Sequence, residues 1–167
     1  RCRAELFDPS DRRYLHPFIN CTDCGPRLTI LKRMPYDRER TSMSAFEMCG
    51  ECSREYYDPS SRRFDAQPVC CNDCGPQVFI LDGELRGLAA ISEVRRVISD
   101  GGIAEIQGIG GFHLACDATN AAAVERLRER KFRQFKPFAV MFRNVESVRR
   151  ECVLDDRSID LLDGHEK

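Results

Sequence analysis

CCNDCGPQVFILDG, from Cys70 to Gly83, repeats at a shift of fifty residues the pattern of CTDCGPRLTIL, which runs from Cys21 to Leu31. The same shift lays FDPSDRRY (Phe7–Tyr14) on YDPSSRRF (Tyr57–Phe64), so the first part of the chain is an internal duplication. In each copy one cysteine precedes an Asp-Pro turn and a Cys-x-x-Cys-Gly-Pro knuckle follows it. The sets are Cys2 with Cys21 and Cys24, then Cys52 with Cys71 and Cys74, with eighteen residues between the halves each time. Cys49 completes the second set as Cys-x2-Cys-x18-Cys-x2-Cys, the donor set of a closed structural four-thiolate zinc site; a catalytic zinc keeps a position open. In the first copy the matching position falls ahead of Arg1, so this site is expected to be incomplete, cut inside its first Cys-x-x-Cys. His16 is the nearby substitute, but a weak one, since its counterpart is Ala66. Cys70 aligns with Asn20 and reads as a bystander thiol beside Cys71.

Ten cysteines in 167 residues would mark a disulfide scaffold in a secreted chain. Pairs two residues apart suit two thiolates on one metal better than two cross-linked partners, so zinc is the expectation. Lys and Arg (26) nearly balance Asp and Glu (27) and are mixed along the chain, which argues against a nucleic-acid or membrane surface. Apolar runs are far too short to span a bilayer, and Arg1-Cys2-Arg3 is no signal segment, so a cytoplasmic protein is expected.

Gly25-Pro26 and Gly75-Pro76 are each expected to turn backbone N–H groups toward sulfur with a positive φ and to aim the chain into a following strand. A module with so few apolar side chains draws its folding free energy from metal, on the order of 10 kcal/mol or more per structural zinc. Arg12, Arg13, Arg62 and Arg63 follow the Asp-Pro turns and are expected on the solvated face or paired with nearby carboxylates.

After Leu81 the knuckles stop and Asp82-Gly83 marks a tight turn, which places a domain boundary near Leu85 and divides the chain into 1–84 and 85–167. Leu88, Ile91, Val94, Val97 and Ile98 give one helical face ended by Gly101-Gly102. Ile103–Gln107 reads as a strand, and GIGG (Gly108–Gly111) as a glycine loop entering a second one. Asn120 caps a helix to about Lys131, Phe138–Phe142 reads as a strand, and Asn144 caps a further helix. The fold class is therefore α+β or α/β: tandem small zinc-finger modules, then an α/β domain whose sheet is incomplete. GIGG fits neither a P-loop nor a dinucleotide fingerprint, and a tight turn is its plain reading. In KFRQFKP the cations Lys131, Arg133 and Lys136 alternate around Phe132 and Phe135. They suit a triphosphate, although helix C-terminal charge favoured by the dipole is the account that physics alone prefers.

HPFINCTDCGPRLTI, MPYDRERTSM, AQPVCCNDCGP and GIGGFHLACDATN, with twenty-four residues between Cys24 and Cys49, resemble the HypF family of carbamoyltransferases that mature [NiFe] hydrogenases. The resemblance covers essentially the whole chain and implies a duplicated finger region followed by the first part of a YrdC-like domain. It implies an enzyme that uses carbamoyl phosphate and ATP with Mg²⁺ to form carbamoyl-AMP and passes the carbamoyl group to the C-terminal cysteine of HypE. Lys131, Arg133 and Lys136 then match elements that contact nucleotide and acyl group, and Gly110, Gly111 and His113 line the same cavity. Gln107 stands where the family pattern leads one to expect a lysine. No catalytic residue is assigned, and the chain alone is expected to be inactive. The competing classes are a zinc-ribbon module binding nucleic acid or protein, which the near-neutral charge disfavours, and a threonylcarbamoyl-AMP synthase-like enzyme, which would lack paired zinc motifs.

Overall fold

Each copy of the repeat opens on a short helix, and the two helices occupy equivalent places: α1 (Cys2–Leu6) and α2 (Gly50–Tyr57). The Asp-Pro turn after the helix is then built alike in both copies. Asp8 Oδ1 accepts from Ser10 N (2.9 Å) and Ser10 Oγ (2.7 Å), and Asp58 Oδ1 accepts from Ser60 N (2.9 Å) and Ser60 Oγ (2.7 Å). Both are side-chain-closed turns of the kind Asp-Pro-Ser encodes. The chain then doubles back onto the helix end through a left-handed residue, Leu15 or Asp65, each at φ 53°. Leu15 N donates to Leu6 O (2.9 Å) and Asp65 N to Tyr56 O (3.0 Å). The computed structural model that gives this geometry describes residues 1–108 and 110–164, so Ile109 of the glycine loop and residues 165–167 lie outside the described residues.

The knuckle glycines act differently from expectation. Gly25 has φ +105°, but Gly75 lies outside the left-handed region, and its constraint is steric. A Cβ there would sit 2.9 Å from Cys70 Sγ and Cys71 O, just as one at Gly25 would sit 2.6 Å from Asn20 Cβ. Glycine lets the knuckle close on residue 20 or 70. The expected strands after the knuckles are absent among the described residues. Residues Leu28–Ile30 form a 3-10 turn, and single bridges join Leu31 to Thr41 and Phe79 to Arg86. Each exit segment meets one opposing residue and no ladder, so pairing stops there.

The connector between the copies is docked. Arg38 donates to Gln67 O (2.7 Å), Val69 O (2.9 Å) and Phe46 O (2.8 Å), tying it to the second copy. The buried apolar cluster of the finger region is Cys52, Ala66, Val69 and Cys71, flanked by Met48, Cys49, Tyr56 and Cys74. Half of these side chains are thiols, which leaves little apolar area to fold on.

Beyond the Asp82 turn (φ 58°) come α3 (Gly87–Ser99), β1 (Ala104–Gly108), β2 (Gly111–Ala115), α4 (Ala121–Lys131), α5 (Val145–Glu151) and α6 (Asp156–Asp163). β1 and β2 are antiparallel, with Ile106 opposite His113 and Gly108 opposite Gly111, so the glycine loop is a hairpin turn. The caps are where the side chains put them: Asn120 Oδ1 accepts from Ala123 N (3.0 Å) and Asn144 Oδ1 from Ser147 N (2.9 Å). Asp155 caps α6, accepting from Ser158 N (2.8 Å), a helix the hydrophobic pattern did not disclose. Phe138–Phe142 is not a strand: it pairs with neither β1 nor β2, and Met141 is 97% exposed. β propensity without a neighbouring edge makes no ladder. Among the described residues no helix is long and apolar enough to cross a membrane.

Candidate metal centres

The Sγ atoms of Cys49, Cys52, Cys71 and Cys74 lie within 4.8 Å of one another, and those of Cys2, Cys21 and Cys24 form a second such group. In the second copy the supports are local. Cys49 is the N-cap of α2 and Cys52 sits in its first turn, so Cys-x-x-Cys places both sulfurs at one helix end, while the knuckle brings Cys71 and Cys74 up from the other side. Cys49–Cys71 and Cys71–Cys74 are each 3.8 Å apart, and Cys21–Cys24 is 3.7 Å. Four sulfurs about 2.3 Å from a tetrahedral zinc stand about 3.8 Å from one another. The donor sets therefore fit zinc, and the thiols are free cysteines, not disulfides. Bound there, zinc would supply a tetrahedral cross-link between helix start and knuckle.

His16 and Cys70 belong to neither group. Asn72 Nδ2 donates to Tyr14 O (3.0 Å), its Oδ1 faces His16 Nδ1 (2.9 Å), and His16 Nε2 faces Cys70 Sγ (3.3 Å). With Asn72 oriented by Tyr14, its Oδ1 must accept, so Nδ1 carries the imidazole proton and Nε2 accepts from the Cys70 thiol. Burial leads in lowering the His16 pKa and in pushing Cys70 up to about 11, which keeps both groups neutral. Cys70 thus spends its proton on His16.

The arginines after the Asp-Pro turns do pair with carboxylates, one of the two places expected for them, but sequence reasoning missed their burial and that the carboxylates belong to the opposite copy. Arg13 and Arg63 are only 2% and 3% exposed, and all four reach into the opposite copy. Arg12 donates from Nη1 and Nη2 to Cys52 Sγ (3.3 and 3.4 Å) and from Nη2 to Glu55 (2.7 Å). Arg13 donates from Nε to Cys70 O (2.9 Å) and from Nη2 to Glu55. Fifty residues on, Arg62 Nη1 donates to Cys2 Sγ (3.0 Å) and Arg62 pairs with Glu5. Arg63 donates from Nε to Asn20 O (2.9 Å) and from Nη2 to Glu5. The two copies are thus related by an approximate twofold exchange of arginine pairs. Burial works against the charge of Glu55 and Glu5, but the arginine hydrogen bonds and charges outweigh it and hold both carboxyls below their ordinary value.

The thiols of the second group are graded. Burial opposes the Cys49 thiolate, yet the Cys52 backbone N–H and the neighbouring thiols bring it down to about 7. Burial pushes Cys52 up despite the Arg12 hydrogen bond, and pushes Cys71 up as well. Zinc binds these groups as thiolates, so loading the site releases thiol protons, and affinity is expected to rise by about 10-fold or more per pH unit near pH 7, checked by chelator competition across that range.

The second half holds the other predicted residues at two places. Lys131 ends α4, and Arg133 and Lys136 follow in an exposed loop that Arg128 pins by donating to Arg133 O and Lys136 O (both 3.2 Å). Phe132 and Phe135 stand 94% and 93% exposed, so the aromatics of this loop are not its core. Gly110 and Gly111 form the β1–β2 turn, and His113 is an exposed β2 residue whose ring occupies the space a Cβ at Gly108 would take, 2.9 Å from Nε2. Among the described residues no hydrogen bond or ion pair joins the two sets.

Residues 1–31 and 48–81 match the family described as HypF finger, and residues 96–164 match the Sua5, YciO and YrdC family described as Telomere recombination. The Synechocystis sp. carbamoyltransferase HypF is 53% identical over 165 residues, 96% of this chain and 22% of that protein. The crystal structure of a full-length HypF in its phosphate- and nucleotide-bound form superposes with a TM-score of 0.88 at 52% identity, covering 98% of this chain and 22% of that one. The T. kodakarensis HypF structure gives 0.91 at 43% identity, over 99% and 22%. The chain spans about a fifth of the length of these relatives.

Proposed function

The chain belongs to the HypF family, and from that premise we propose that it is the zinc-braced entrance to the adenylate-forming part of a carbamoyltransferase acting in [NiFe]-hydrogenase maturation. In this reading water hydrolyses carbamoyl phosphate to carbamate and inorganic phosphate, and a carbamate oxygen attacks the α-phosphorus of Mg²⁺-bound ATP. Pyrophosphate leaves and carbamoyl-AMP remains. The carbamoyl carbon then passes to the C-terminal cysteine sulfur of HypE, releasing AMP. The observation that carries this reading is the likeness to a HypF solved with phosphate and nucleotide bound, over nearly the whole of this chain.

The chain's own residues have definable work in that chemistry. Negative charge builds on the α-phosphate as the carbamate oxygen adds, and cations already in place stabilise it without reorganisation. Lys131, Arg133 and Lys136 are the assigned donors, Arg133 through its fork and the lysines as point charges. Their loop is held by Arg128, whose guanidinium also stacks 5.0 Å above the Phe138 ring. Gly110 and Gly111 bring backbone close to the ligand, with His113 beside them. Gln107 offers an amide at the wall where the family pattern leads one to expect a lysine, so these three cations carry more of the charge. The zinc sites are architectural, fixing where the neighbouring domains meet so that a labile intermediate stays enclosed.

In a full-length HypF-family protein carrying this segment, Arg133→Ala is expected to slow carbamoyl phosphate-dependent pyrophosphate release by about 100-fold. Pyrophosphate detection against the wild type reads it. Release unchanged in both Arg133→Ala and Lys131→Ala variants would remove these cations from the reaction.

A further inference from the structure

The arginine exchange between the two copies links the metal centres themselves. A zinc on four thiolates carries a formal charge of minus two, and its sulfurs seek N–H donors; such partners around the ligands usually change metal affinity about 10- to 100-fold when removed. Here the donors come from the other copy. Cys52 Sγ receives both Nη atoms of Arg12 (3.3 and 3.4 Å) and Arg13 Nη2 (3.5 Å), while Cys2 Sγ receives Arg62 Nη1 (3.0 Å). Glu55 and Glu5 sit on α2 and α1, one helical turn past Cys52 and Cys2, and hold the incoming guanidinium pairs in place. Arg13 and Arg63 then fix the backbone of the opposite knuckle at Cys70 O and Asn20 O.

The loop that delivers Arg12 and Arg13 lies between Cys2 and Cys21, and the loop that delivers Arg62 and Arg63 lies between Cys52 and Cys71. Each loop is closed by its own copy's metal. We propose that the two metal sites are thermodynamically coupled: Arg12 and Arg62 are positioning residues for the opposite site's thiolates, and metal in either site orders the loop that carries the other site's arginines. Coupling of this kind is reciprocal by necessity, so loss of metal from either site weakens the other by the same factor. The proposal rests on the metal-binding reading of the two thiol groups.

The test uses the full chain loaded with ¹¹³Cd²⁺, with resonances assigned by Cys24→Ser and Cys74→Ser, and affinities read by chelator competition. Arg12→Ala is expected to shift the resonance of the Cys49/Cys52/Cys71/Cys74 site and lower its affinity about 10- to 100-fold, leaving the other resonance in place; Arg62→Ala does the converse. Arg12→Lys, which keeps the charge and loses the fork, restores part of the affinity. Cys24→Ser alone lowers affinity at the Cys52 site about 10-fold, and adding Arg12→Ala to it costs less than the two separate losses together. Should Arg12→Ala fail to fold, Arg12→Lys and Cys24→Ser carry the same comparison. Cadmium bound at both sites with affinities unmoved by the arginine variants, or losses that add in full, would overturn the coupling. A wild-type chain with no cadmium resonance would overturn the metal reading itself.

Discussion

Cys71→Ser is expected to empty the second metal site and unfold the copy of the repeat that carries it, while Cys70→Ser, one residue earlier, keeps both metal and fold. The two thiols are adjacent, buried and chemically alike, but only Cys71 stands 3.8 Å from both Cys49 and Cys74. A structural zinc contributes on the order of 10 kcal/mol or more to the folding of a small module. The apolar cluster that would have to replace it consists of Ala66 and Val69 with the ligands themselves, and cannot. Cys70→Ser exchanges the thiol donor to His16 for a hydroxyl on a shorter bond and loses a little polarizable volume, which costs about 1 kcal/mol. Metal content per chain by elemental analysis, with far-ultraviolet circular dichroism, separates the two variants. A Cys71→Ser chain with wild-type metal content and fold would remove the structural role of the site, and zinc lost from Cys70→Ser would move the ligand role to its neighbour.

Arg13→Ala is expected to destabilise the metal-loaded chain by roughly 3 kcal/mol, the low end for breaking a buried ion pair, because Glu55 keeps Arg12 and Arg63 as partners. The loss is specific: the pairing to Glu55 and the Nε bond to Cys70 O across the two copies. Arg54 is the contrast. It is exposed and meets Glu51 at 3.6 Å along one helix, so Arg54→Ala falls within about 0.5 kcal/mol of wild type. Urea unfolding at fixed zinc concentration measures both, and equal effects would show that the exchange of arginines adds nothing beyond surface pairing. The pH sense is set by Glu55 and Glu5. Their folded pKa values are depressed from the ordinary 4.5, so their stabilisation is fully present above that value and is lost as acid titrates them. Protonation of thiolates acts in the same direction, so acid releases metal and the arginine exchange together.

Much of the candidate site was legible because its rules are local. Cys-x-x-Cys puts two sulfurs on one turn whatever surrounds it, and a duplicated spacing states the same site twice. The helix caps at Asn120 and Asn144 belong to the same class, since a side chain reaching its own third neighbour needs no partner from elsewhere. The turn at Asp82 was equally readable. Errors fell where the outcome depends on a neighbour. Phe138–Phe142 has strand composition but no edge beside it among the described residues, and Gly75 is glycine because Cys70 presses on it, not for its φ. α6 was missed because an Asp155 cap three residues before Ser158 is a weaker signal than a hydrophobic stripe.

The sequence by itself determined the duplication and the spacing of the thiols that gather, because each is settled within a loop or by comparison of the two copies. The choice of Cys71 over its neighbour Cys70 was settled by the structure, where Cys70 turns to His16. Only the tertiary structure decided where Arg12, Arg13, Arg62 and Arg63 go. In either copy they read as surface charge or as partners of nearby carboxylates, whereas the groups they meet lie about forty to sixty residues away in the other copy. No periodicity encodes a contact between repeats. It arises because two modules too small to bury their own thiolate charge pack together, and each supplies the cations that the other lacks.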